Sequence, residues 1–84
     1  VYQRVRQQQM RVVGLSSTLR ALQKGHLIEV YLAKDAEHRV LQPLQKQCEE
    51  RGISIVWVDS QLALGRACGL RIGTSAVGIL REDI

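Results

Sequence analysis

The amino-acid sequence predicts an α/β fold, a three-layer α/β/α sandwich around a mixed four-stranded sheet, and three observations lead there. Segments with helical spacing of apolar residues alternate with short β-branched runs along the chain. The run at 27–34 is apolar on both faces, as expected of a strand with helices on each side. No long linker, repeat or low-complexity tract interrupts the alternation. At 84 residues the chain reads as one domain, 1–84, with length for a single modest core.

Residues 2–9 carry Tyr2, Val5 and Gln9 on one side, the thin stripe of a short helix that covers an edge rather than building the core. Residues 11–14 read as a brief β-branched strand ending at Gly14, followed by Ser16, Ser17 and Thr18, any of which can cap a helix. In that helix Leu15, Leu19 and Leu22 line one face, Ser16, Arg20 and Lys24 recur every four residues on another, and Gly25 closes it. After the strand at 27–34, a polar connection leads to an amphipathic helix carrying Val40, Leu41, Leu44 and Cys48, with Pro43 in its first turns and Gly52 at its end. Residues 53–58 read as a second central strand, Asp59 and Ser60 as the N-cap of a third helix, and residues 75–80 as the last strand.

Hydrophobic residues at 45% and charged residues at 24% describe an ordinary globular composition, with no apolar run near the ~18 residues of a membrane span. The N-terminal residues are polar from Tyr2 on and lack the apolar centre of a secretory signal, so a cytoplasmic protein is expected. Cys48 and Cys68 have no Cys or His neighbours at metal-ligand spacing and read as structural thiols. Twelve Lys and Arg against eight Asp and Glu leave a formal +4, pointing to a polyanionic partner. Arg4, Arg6, Arg11, Arg20 and Lys24 precede the first acidic residue, Glu29, so the first third is the basic third. Of the aromatics Tyr2, Tyr31 and Trp57, the last two lie in strand-like runs, which argues against an aromatic stacking platform.

The most informative stretch is 64–77. Ala63, Leu64, Ala67 and Cys68 fall at helical spacing, Gly69 stands where a helix closes, and Leu70, Arg71 and Ile72 are then carried between Gly69 and Gly73. Two readings are open: a loop that presents Leu70 and Ile72 to a partner, or a connection whose apolar side chains tuck under the sheet. Gly14, Leu15, Ser16 and Ser17 open a helix after a strand and could receive phosphate oxygens on backbone amides, but they lack the lysine of a P-loop and the three glycines of a dinucleotide fingerprint. His26 and His38 have no nucleophile or carboxylate partner in a recurring motif, and Asp35 and Asp59 suit capping, so no catalytic set, metal site or cofactor is expected.

The segments 14–22, 32–36 and 58–60, together with Leu64-Gly65-Arg66-Ala67-Cys68-Gly69, resemble the kink-turn RNA-binding superfamily of ribosomal proteins, the family of archaeal L-seven-Ae and eukaryotic L-thirty-e. The likeness covers nearly the whole chain, and the small size is similar to the bacterial YbxF-type members. It implies the same α/β/α sandwich and a non-enzymatic protein that recognises tandem sheared G·A pairs beside a bulge, in ribosomal or structured regulatory RNA, acting as a monomer without cofactor or membrane. By the resemblance, Gly14, Ser16, Ser17 and Arg20 face the G·A pairs, with Lys24 further along the same helix. Ser16 and Ser17 stand where the family has an asparagine and a glutamate, and a hydroxyl cannot give the amide's paired donor and acceptor. Arg20 replaces a lysine and keeps the charge. Lys34 and Glu37 match the loop facing the bulge, and Gln61 stands where some relatives have a lysine. Leu70, Arg71, Ile72, Gly73 and Thr74 match the loop that covers flipped-out nucleotides, which need a dry surface. The alternative of another class is a protein-interaction module of the same fold with little RNA affinity, which the two serines would permit.

Overall fold

The computed structural model describes residues 2–83. Its elements are a 3-10 turn Gln8–Met10, strand β1 (Arg11–Val13), helix α1 (Leu15–Gln23), β2 (Leu27–Ala33), α2 (His38–Arg51), β3 (Ser54–Val58), α3 (Gln61–Ala67) and β4 (Ala76–Leu80). The sheet order is β1-β4-β2-β3; β4 runs antiparallel to both β1 and β2, and β3 runs parallel to β2. The sheet is therefore mixed and four-stranded, and the expected α/β/α sandwich is what forms. No described helix is long and apolar enough to cross a membrane.

Strand alternation divides the core into two layers. Val30, Leu32 and Ala76 face α1 and α2, where they meet Ala21, Leu22, Leu41, Leu44 and Cys48. Tyr31, Ala33, Val77 and Ile79 face the other way, onto Val5, Val58, Leu64 and Cys68. Gly78 lets α1 lie close on β4, since a Cβ there would press on Leu27 and on the Thr18 methyl group. All three helices end alike: just past each one an amide bonds back to the carbonyl five residues earlier, as in His26 to Ala21 (3.0 Å), Ile53 to Cys48 (2.8 Å) and Leu70 to Gly65 (2.9 Å).

Four sequence expectations need correction. Residues 2–9 do not form one helix. The segment makes a turn closed by Arg6 N–H on the Tyr2 carbonyl (3.1 Å) and then the 3-10 turn, because Val5 is drawn wholly into the core instead of covering an edge. Residues 53–58 give an edge strand; β4 holds the second central place, and Trp57 is left 39% exposed. An apolar run on an edge strand has the same spacing as one inside a sheet, so the pattern could not separate them. Ser16, Ser17 and Thr18 do not cap α1: Gly14 takes the cap position and the hydroxyl residues fall within the first turn. Pro43 lies inside α2 beyond its first turn, on the exposed face, where it removes the bond to the Arg39 carbonyl.

Cys48 and Cys68 are buried free thiols. Burial, with the Glu49 carboxylate adding to it, pushes the Cys48 thiol from an ordinary value near 9 up to about 11. The unfolded chain loses that proton first, so the stability tied to the protonated thiol is complete below pH 9 and is lost as pH rises towards 11. A shift of this size corresponds to about 2–3 kcal/mol. Denaturant unfolding across this alkaline range should show a steep fall for the native chain and a shallower one for Cys48→Ala; equal slopes would show that other groups carry the dependence.

Candidate functional site

β1, β2 and β3 run in one direction, so their C-terminal ends share one edge of the sheet with the start of β4. In open α/β sheets this edge is where ligands are usually received. Here a chain of hydrogen bonds ties the loops together. Gly14 N–H donates to the Ala76 carbonyl (2.9 Å), Ala33 N–H to Ser75 (3.0 Å), Lys34 N–H to Val58 (2.8 Å) and Thr74 N–H to Gln61 (3.0 Å). The Asp35 carboxylate accepts from Gln61 N–H at 2.8 Å, so it caps α3 from a different loop, while Ser60 Oγ accepts from Ala63 N–H at 3.0 Å. The start of α1 and the loop at 69–74 are far apart in sequence and are held in one rim.

The rim's backbone is shaped by glycines at special positions. Gly14 has φ +100° and ψ 154°, a conformation available almost only to glycine, which turns the chain from β1 into α1. No side chain caps α1, so its first amides face outward unpaired by any side chain. Gly65 and Gly73 bring the 69–74 loop against α3: a Cβ on Gly65 would fall on the Ile72 carbonyl oxygen, and one on Gly73 would crowd the backbone and Cβ of Gln61 at 3.0 Å. Gly69 (φ +78°) closes α3 and starts the loop. Because the backbone lies tight on the helix, the side chains turn outward: Ile72 is 72% exposed and Leu70 37%. Of the two readings of this loop, the structure has the exposed one.

The expected residues distribute unevenly. Gly14, Ser16, Ser17, Lys34, Glu37, Leu70, Arg71, Ile72 and Gly73 belong to the rim or its first helical turn, and all but half-buried Gly14 are exposed. Arg20 is exposed one turn further along α1. Lys24 caps the far end of α1, about 15 Å from Gly14 at the helical rise per residue. Thr74 is buried, and its hydroxyl donates to the Ala76 carbonyl at 3.2 Å, so it holds the loop rather than offering a hydroxyl outward. Among the described residues Arg20, Lys34, Arg66 and Arg71 are in no ion pair, whereas Arg4 pairs with Glu29 at 3.4 Å.

Arg11, counted in the basic third, is a structural clamp. Its guanidinium donates to the carbonyls of Val5 (2.6 Å) and Cys68 (2.8 Å), joining the N-terminal turn to the end of α3. The clamp left no sequence signal, and the capping role read for Asp35 gave no hint that its partner is α3, because both contacts link residues distant along the chain. The glycine inside α3 did: Gly65 costs a helix about 1 kcal/mol relative to alanine, which is tolerated for a packing reason. Gly65→Ala should lower stability by about 1–3 kcal/mol despite its better helix propensity. It should also shift the amide resonances of residues 69–74. A gain in stability with an unmoved loop would show that the contact with Ile72 is slack.

The profile of the ribosomal protein L7Ae/L30e/S12e/Gadd45 family matches residues 1–83. A protein of Caldanaerobacter subterraneus named as RNA-binding is 45% identical over 65 residues, 77% of this chain and 79% of its own length. RNA-binding protein YbxF of Geobacillus stearothermophilus is 36% identical over 80 residues, 95% of this chain and 98% of its own. Among solved structures, the 15.5kD RNA binding protein of Giardia lamblia superposes with a TM-score of 0.88 at 28% identity, covering 98% of this chain and 72% of that one.

Proposed function

The chain belongs to the ribosomal protein L7Ae/L30e/S12e/Gadd45 family, and from that membership we propose that it is a non-enzymatic RNA-binding protein recognising kink-turns in ribosomal or structured regulatory RNA. One observation carries the reading: the uncapped start of α1 and the outward apolar side chains of the 69–74 loop sit on one rim, beside cations in no ion pair. The relatives named as RNA-binding proteins support the class of ligand.

The chemistry follows from the groups available. The outward amides at the start of α1 and the hydroxyls of Ser16 and Ser17 can meet phosphate oxygens or base edges at the G·A pairs, with the helix dipole favouring the negative partner. Arg20 brings a planar fork able to take O6 and N7 of guanine together. Lys34 and Arg71 flank this with charge, and Glu37 offers an acceptor to a base amino group. Leu70 and Ile72 give unstacked bases an apolar cover, a role that bases in loops and bulges need and that a straight duplex does not. Gly73 and Thr74 keep that cover in place. The rim is tied by backbone hydrogen bonds, so binding bends the RNA and leaves the protein as it is. On this reading the chain acts as a monomer in the cytoplasm, with the ribosome among the sites where it could meet such an RNA.

Gel-shift titration with a kink-turn RNA, and with a straight duplex of equal length, tests the proposal. The native chain should prefer the kink-turn. Arg20→Ala should cost about 1–3 kcal/mol on the kink-turn, the worth of a bidentate base contact, and much less on the duplex. Equal loss on both would reduce Arg20 to a phosphate contact, and absence of binding to either RNA would favour a protein-interaction module.

A further inference from the structure

The face of α1 that runs from Ser17 to Lys24, away from the rim, carries a second feature. Ser17, Arg20 and Lys24 share a face of α1, and together with Ala21, Val12 of β1, His26 and Leu80 of β4 they line an open cavity of about 280 Å³. Its floor is apolar and its walls hold a hydroxyl, a guanidinium, an ammonium and an imidazole, with no carboxylate among the lining residues. The backbone around it is fixed. His26 N–H donates to the Ala21 carbonyl (3.0 Å), and the His26 carbonyl accepts from Arg81 N–H (2.8 Å). Arg81 stands close by but is occupied, bonding Asp83 through Nε (3.0 Å) and Nη2 (2.8 Å) and the Gly25 carbonyl at 3.0 Å. The open donors near this end are therefore Arg20 and Lys24, both exposed, and half-buried His26.

Resting on the RNA reading above, we propose that this groove between α1 and the β1–β4 edge is a second backbone site. It would hold phosphodiesters of the stem that continues from the G·A pairs, with Lys24 and His26 as its end contacts. The direction of α1 supports this occupant. Gly14 at the rim and Lys24 in the groove are about 15 Å apart, on the order of four phosphate steps along one strand. A stem entering at the start of α1 can follow the helix to Lys24 without leaving cationic surface. Arg20, midway, serves both ends. The apolar floor suits the sugar edge of a strand, and the hydroxyl and imidazole add donors to the two fixed charges. The protein would then grip a length of helical stem as well as the kink.

The test uses the full chain, the double variant Lys24→Gln/His26→Gln and the control Lys46→Gln on α2, with two kink-turn RNAs that differ only in a long or a truncated stem beyond the G·A pairs. On the long-stem RNA the double variant should bind about three- to fivefold more weakly at low salt and lose roughly one to two units from its log–log salt slope. On the truncated RNA it should match the native chain, and Lys46→Gln should match it on both. Equal affinity and slope on the long-stem RNA, or equal loss on both RNAs, would overturn the second site while leaving kink-turn binding intact. If inorganic phosphate alone saturated the groove, followed through the His26 and Lys24 resonances, and stem length had no effect, the groove would belong to a free anion. Failure of the native chain to bind either RNA would remove the kink-turn reading and this site with it.

Discussion

The close approach of the 69–74 loop to α3 is the constraint on which the candidate site depends. Two glycines, Gly65 on the helix and Gly73 in the loop, remove the side chains that would hold the two backbones apart. The Leu70 and Thr74 amides then bond to Gly65 and Gly73's neighbour across the gap, Gln61 (2.9 and 3.0 Å). With its inner side filled by backbone, the loop has nowhere to bury Leu70 and Ile72. Their exposure is a consequence of the packing and not of mobility. A loop that tucked these side chains under the sheet would need space that α3 already occupies.

The same α3 carries the constraint to the rest of the rim. Asp35, from the loop after β2, caps its first amide, and Arg11, from β1, holds the carbonyl at its end. A seven-residue helix is marginal by itself, so these two contacts from distant parts of the chain matter for its placement. Through Ala76, whose carbonyl accepts from both Gly14 N–H and the Thr74 hydroxyl, the position of the loop is transmitted to the start of α1. The two halves of the site are joined by bonds at one residue, which is how segments so far apart in sequence come to share a surface.

Much of this was legible from the residues. The two-faced apolar run of β2 announced an interior strand, Gly25, Gly52 and Gly69 announced helix ends, and Ser60 announced a cap; each depends on neighbours a few positions away. The contacts that escaped depend on partners dozens of residues distant. Arg11 reads as one more surface cation until its carbonyl partners are known, and Asp35 reads as a local cap. Thr18 reads as a cap but is buried with its hydroxyl unpartnered, because it lies opposite Gly78, where α1 presses on β4. Trp57 looked like core because an edge strand and a central strand carry the same apolar spacing. In the candidate site, the resemblance supplied the two segments and the topology supplied their meeting; Lys24 fell at the other end of its helix, and His26 beside it had no signal at all.

On the proposed reading, one rim, built from the start of α1, the loop after β2 and the 69–74 loop, receives the RNA. Backbone amide chemical-shift mapping of the full chain on adding a kink-turn RNA tests it most directly. The account predicts that Gly14 to Ser17, Lys34 to Glu37 and Leu70 to Gly73 shift together and saturate at one concentration, with the resonances along the outer face of α2 unmoved. Shifts gathered on α2, or a response of the α1 start without the loop, would contradict it.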